Sequence, residues 1–139
     1  MVIGELSKLI SEGHLKGDFN YVSENNEEYR FTYRTLTPIE EVHAERDAKD
    51  FYDKDKITRE TDMLVYRVNE VLARSLLSVN GVDLGNIPGA VGNTDLDKKR
   101  SIVKQLNQKI ILNLWKEYNK LLEKTLPEST PEEVIEIKK

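Results

Sequence analysis

The sequence predicts an α+β domain, predominantly α, in which a short N-terminal helix and a β-hairpin precede two or three long amphipathic helices. Three observations lead to it. Tyr29, Phe31 and Tyr33 alternate with Arg30, Thr32 and Arg34, the period of two that a strand with one wet face requires. Thr37 then stands where a helix cap belongs, with Pro38 at the first helical position and Glu40 three residues after the cap, which is a capping box. Beyond it, Leu64, Val68, Val71, Leu72, Ser75, Leu76 and Val79 recur at helical spacing, as do Ile102, Val103, Leu106, Ile110, Leu114, Tyr118, Leu121 and Leu122.

The elements follow in order along the chain. Val2, Ile3, Leu6, Leu9 and Ile10 recur at steps of three and four, predicting a short amphipathic helix that Gly13 ends. A helix below about 12 to 15 residues is marginal alone in water, so this arm, residues 1–14, is expected to dock on its own body or on another subunit. Phe19 to Val22 and Tyr29 to Tyr33 are the two predicted strands, joined by a polar loop with two asparagines, and the hairpin spans 17–36. Two strands rarely stand by themselves. Either a helix covers the face of Phe19, Tyr21, Tyr29, Phe31 and Tyr33, or strands of a neighbouring chain extend the sheet.

The helical part covers 38–126, with a first helix at 38–52, a break around Asp53-Lys54-Asp55-Lys56, and a second helix at 58–79 that Gly81 terminates. Gly81, Gly85, Pro88, Gly89 and Gly92 mark a loop, after which Thr94 or Asp95 caps a last helix that runs to about residue 125. Ile111 and Trp115 widen its apolar stripe, which implies contacts on more than one side. Residues 1–126 thus make one small domain, and 127–139 read as an acidic, mobile tail.

Composition narrows the function. The chain has 139 residues, enough for one modest core, and 33% charged against 38% hydrophobic residues. With 21 basic and 25 acidic side chains the net charge is −4 and both signs interleave, which disfavours broad nucleic-acid binding. No run approaches the roughly 20 apolar residues of a membrane span, and the first residues lack the pattern of a signal peptide. The absence of cysteine removes disulfides and thiolate metal sites.

No motif carries enzyme chemistry. His14 and His43 lack the spacing of a shared metal, and His43 sits among local ion pairs of a charged helix. Asp53, Asp55 and Asp62 fail as a calcium loop, because Thr58 and Leu64 occupy the positions that need glycine and glutamate. Glu40, Glu41 and Glu45 lie beside Arg46 and Lys49 and read as a salt-bridged face. The glycines between 85 and 94 lack the lysine and hydroxyl ending of a phosphate loop. Trp115, Lys116, Tyr118 and Lys120 form a basic-aromatic cluster, but Glu117 and Glu123 dilute its charge and favour burial or a protein interface. The expectation is a non-enzyme without cofactor or metal.

The run Phe-Thr-Tyr-Arg-Thr-Leu-Thr-Pro-Ile-Glu-Glu, the charged helix after it, Val71-Leu72-Ala73-Arg74-Ser75-Leu76 and Val79-Asn80-Gly81-Val82-Asp83-Leu84 together resemble small tailed-bacteriophage tail or baseplate assembly proteins, in particular tail assembly chaperones. The resemblance covers about residues 29–84 and leaves out the last helix and the tail. It implies a non-enzymatic subunit that binds a tape-measure or hub protein in the host cytoplasm, or stays in the virion as a small connector, as a homo- or hetero-oligomer away from membranes and nucleic acid. The partner contacts expected are Val2, Leu6, Leu9 and Ile10 on the arm, Tyr21 and Tyr33 at the hairpin, and Trp115. The alternative is a phage-encoded regulatory or nucleic-acid-associated small protein.

Overall fold

The computed structural model describes residues 15–124, so the predicted N-terminal helix and the 127–139 tail lie outside the described residues. Strands β1 (Lys16–Val22) and β2 (Glu28–Arg34) are followed by helices α1 (Pro38–Lys54) and α2 (Glu60–Ser75). Strands β3 (Leu76–Val79) and β4 (Val82–Asp83), a 3-10 turn at Leu84–Asn86, and helices α3 (Asp95–Gln105) and α4 (Gln108–Glu123) complete the order.

This corrects the predicted fold class. The hairpin is half of a four-stranded antiparallel sheet ordered β1-β2-β3-β4, and four helices accompany it. The predicted 58–79 helix stops at Ser75, where Leu76 takes extended angles and passes straight into β3. Asn80 and Gly81 both have positive φ, 51° and 80°, the requirement of a two-residue hairpin turn, and they join β3 to β4. What reads as a helix stop is therefore a strand connection. The predicted last helix is also two: Leu106 is extended, and the Asn107 side chain caps α4 by accepting a bond from the Ile110 N–H at 2.9 Å.

The hairpin and α1 form as the sequence predicts, for local reasons. Ser23 and Asn26, the latter at φ 63°, close the β1–β2 loop, and Phe19 pairs with Phe31 across the strands. At α1, Thr37 accepts from the Glu40 N–H while the Glu40 carboxylate accepts from the Thr37 N–H at 3.0 Å. Arg34 at the end of β2 grips the same carboxylate through both terminal nitrogens at 2.9 and 2.6 Å, tying the strand to the helix start.

That fork holds the Glu40 carboxyl well below the usual range, at about 2, with the cap bonds adding to it. A depressed carboxyl contributes stability that is present above its unfolded value of 4.5 and is lost as pH falls toward about 2. Glu40→Gln is therefore expected to cost about 1–2 kcal/mol at neutral pH. In urea melts run across pH, that difference should shrink below pH 4.5 and vanish near pH 2. A gap that stayed constant would place its cause outside the carboxylate.

The core lies between the aromatic face of the sheet and α2, α3 and α4. Leu72, Leu76, Leu84, Val103, Leu114 and Tyr118 are fully buried there, and Phe31 and Tyr33 are buried with them. Phe19, Tyr21 and Tyr29 pack partly against the same cluster, so the helices of this chain cover the aromatic face. Tyr33 opposes Leu76 of β3, and a register shift beside it leaves Leu77 as an extra residue, a β-bulge. The Asn80 side chain continues the ladder past β3: its Oδ1 accepts from the Arg30 N–H at 2.8 Å while its own N–H donates to the Arg30 carbonyl at 2.8 Å.

Candidate interaction surface

Helix α4 carries one apolar stripe too wide for the body beneath it. Ile110, Leu114, Tyr118 and Leu121 are buried, whereas Ile111, Trp115 and Leu122 on the flank are half-buried and Leu112 is 58% exposed. Beside that flank, α2 buries Val68, Val71 and Leu72 but leaves Leu64 50% and Val65 55% exposed. Two grooves result. One, about 370 Å³, runs between α2 and the start of α4 and is lined by Leu64, Val65, Val68, Ile111, Leu112 and Trp115. The other, about 320 Å³, continues toward the end of α4 past Pro38, Val42, Val71, Tyr118 and Leu122, with Glu45 and Arg67 at its edge.

Trp115 lines both grooves and joins them. Its ring stacks on Tyr118 at 5.8 Å between centroids and 15° between planes, so the half-buried indole stands on a fixed floor. The Tyr118 hydroxyl donates to Glu41 at 3.1 Å and accepts from the Leu36 N–H at 3.4 Å. Burial pushes the Tyr118 phenol up to about 12, so the hydroxyl keeps its proton.

A third cleft, about 660 Å³, opens between the hairpin and the α3–α4 corner, where Leu106 lines both it and the first groove. Tyr21, Tyr29, Phe31, Ile87, Leu106 and Ile110 form its apolar walls. It holds no convergent set of ionisable groups: among its lining residues Glu24 alone is charged.

The largest concentration of charge is structural. Glu70, 3% exposed, accepts from Arg74 at 2.9 Å and from Arg100 at 2.8 Å, and Asp47 receives the same two guanidinium groups. Asp97 holds Arg100 from one turn earlier on α3 at 2.9 Å. Arg100 also stands 5.1 Å over the Phe51 ring, with the Lys104 ammonium 5.8 Å from the same ring. Each carboxylate is saturated by cations, which suits a clamp between α1, α2 and α3 and leaves no lone acid for proton transfer.

The residues singled out from the sequence divide between these places. Val2, Leu6, Leu9 and Ile10 lie outside the described residues. Tyr21 faces the third cleft and Trp115 the joined grooves, so the two line different clefts. Tyr33 is a correction: it is 4% exposed, because Gly17 leaves room for its ring, which lies 2.8 Å from where a glycine Cβ would stand. It belongs to the core and offers nothing to a partner. His43 is exposed on α1.

Val65 and Leu112, with Ile39 and Val42 on α1, are surface residues that sequence reasoning missed. The signal was present as apolar residues adjacent to each stripe, but which edge of a wide stripe stays wet depends on which neighbours cover it. Among the described residues no group of three His, Asp or Glu side chains is arranged to hold a metal ion, and no helix is long and apolar enough to cross a membrane. Comparison with protein-family models, with curated proteins and with solved structures finds no match.

Proposed function

We propose that this protein is a non-enzymatic protein-binding subunit that receives an apolar helical segment of a partner along α2 and α4. The observation that carries this reading is the pair of grooves joined at Trp115, with Leu64, Val65 and Leu112 half or more exposed around them. An aromatic anchor on a rigid floor, surrounded by aliphatic residues, is the arrangement that concentrates binding energy in protein interfaces. A groove between two helices also matches the shape of an amphipathic helix presenting residues at three- and four-residue steps.

The biological setting we favour is assembly of a bacteriophage tail or baseplate. It rests on the resemblance over residues 29–84, with a tape-measure or hub protein as the partner, in the host cytoplasm or in the virion. In that setting the tagged protein is expected to capture a tail component from infected cells. Leu64→Asp combined with Leu112→Asp should keep the helical circular dichroism and weaken capture at least about tenfold, equivalent to about 1.4 kcal/mol of binding energy. A folded double variant that captured the same tail component equally well would reject the groove, and recovery of no tail component would reject the setting. Mass spectrometry of purified virions separates a permanent connector, which is detected, from a transient chaperone, which is absent.

A further inference from the structure

The two grooves joined at Trp115 carry opposite charge at their two ends. Lys104 of α3 stands at the end where α4 begins, and Glu41 and Glu45 of α1 stand with Arg67 of α2 at the end where α4 closes; no other charged residue lines either groove among the described residues. One end is thus positive by one charge, and the other, with two acids against one base, is negative by one. Glu41 accepts from the Tyr118 hydroxyl, whereas Glu45, Arg67 and Lys104 are exposed and form no ion pair among the described residues. The clamp around Glu70 satisfies its charges within the chain; these three are left over at the rim of an apolar seat.

The charges just beyond the lining keep that polarity. Lys109 follows Gln108 and adds to the positive end, and Glu60 shares a neighbouring hollow with Glu45 and Arg67 and adds to the negative one. Glu117 and Lys120 pair with each other at 3.6 Å, and Glu123 is followed at once by Lys124. Lys116, next to Trp115 on α4, lies between the ends. From Gln108 to Leu122 the grooves follow α4 for about 21 Å, the length of about four helical turns. Leu64, Val65, Val68, Val71 and Leu112 supply apolar wall between the charged ends.

We propose that the partner segment is an amphipathic helix of about four turns with opposite charges at its two ends, the basic end seated against Glu41 and Glu45 and the acidic end against Lys104. The assignment rests on the groove being the partner site and goes further, because it says which helices the groove accepts. A helix with two basic ends meets Lys104 and Lys109 with like charge, and one with two acidic ends meets Glu41, Glu45 and Glu60, so each loses at one end what it gains at the other.

The test uses the full chain and three stapled synthetic peptides of about 16 residues. All share one leucine stripe at three- and four-residue steps and contain no tryptophan. They differ in their ends: lysine at one and glutamate at the other, lysine at both, or glutamate at both. Stapling equalises their helicity, so charge layout is the only variable. Binding is read at low salt from Trp115, the single tryptophan of the chain. The mixed peptide is expected to bind at least about threefold tighter than either uniform one, as two partly exposed ion pairs allow, and the gap should close in about 1 M salt, where screening acts within about 3 Å. With Lys104→Glu, its fold checked by circular dichroism, the tightest binder should become the peptide with lysine at both ends. Equal affinity of the three for the native chain, or tightest binding by a uniform peptide, would overturn the charge assignment and leave the groove as a plain apolar receptor. Binding of none would overturn it together with the groove as partner site. Light scattering of the chain alone adds one more outcome: a dimer that Leu112→Asp dissociates and no peptide opens would overturn it in favour of a second copy as the occupant.

Discussion

Glu70→Ala is expected to cost about 3 kcal/mol, because two nearly buried guanidinium groups lose the more deeply buried of the two carboxylates they share and are left with Asp47, and Arg100 with Asp97. Arg74 and Arg100 are 9% and 15% exposed at their side chains, so neither can turn to water without opening the contact between α2 and α3. For a chain of this size the loss corresponds to a melting temperature lower by roughly 10 °C. Glu70→Met with Arg100→Met should recover much of it, since Arg74 keeps Asp47 and no buried cation is stranded. The exposed Asp18–Arg30 pair sets the contrast, with side chains 53% and 63% exposed, and its removal should fall within about 1 kcal/mol. Thermal melts of the three variants check the ordering. A Glu70→Ala loss no larger than that of the surface pair would mean that water already reaches the cluster.

Tyr118→Ala should be comparably severe, at about 3–5 kcal/mol, since it empties the largest fully buried side chain and removes the floor under Trp115. Tyr118→Phe isolates the hydroxyl. It leaves the Leu36 N–H without the oxygen it donates to and should cost about 1–3 kcal/mol. The phenol adds a pH signature. Its folded value is raised from 10 to about 12, so the stabilising preference for the protonated form is complete below pH 10 and is lost as pH rises through 12. Denaturant melts between pH 9 and 12 should show parental stability falling toward that of Tyr118→Phe. Parallel pH profiles for the two proteins would contradict a buried phenol.

The parts of the fold legible in the sequence are those with a local cause. Thr37, Pro38 and Glu40 specify the start of α1 within four residues, and the alternation at Tyr29 to Tyr33 needs no distant information. The segment after Ser75 was ambiguous for a physical reason. Leu72, Leu76 and Val79 fit steps of four and three, so a helix accounts for them as well as a bulged strand does. The deciding signal was Asn80-Gly81 between Val79 and Val82, a pair that serves a helix end and a tight strand turn alike. Asn107 hid in the same way inside a continuous stripe, since nothing in composition tells a capping asparagine from a solvent-facing one.

The surface was less legible than the fold. Trp115 stands out by its type, whereas the sequence pattern puts Leu64 in the core and Tyr33 at the hairpin edge, the reverse of their exposure. Both errors have one origin: period places a residue on a face, and only the packing of the other elements determines whether that face is covered. For Tyr33 the determinant is Gly17, sixteen residues earlier in the chain and directly across the strand pair.

The passage from Ser75 to Leu76 without a linker leaves nowhere for α2 to swing. Because the helix continues into the sheet through consecutive residues, and the Ser75 hydroxyl donates to the Arg34 carbonyl at 2.7 Å, one wall of the groove shares the stiffness of the strands. Under the function proposed above, an incoming helix would meet a seat shaped in advance, and the ordering penalty of complex formation would fall on the guest. Stapling or otherwise pre-forming that guest would then be the modification that gains affinity, while rigidifying the host would gain little.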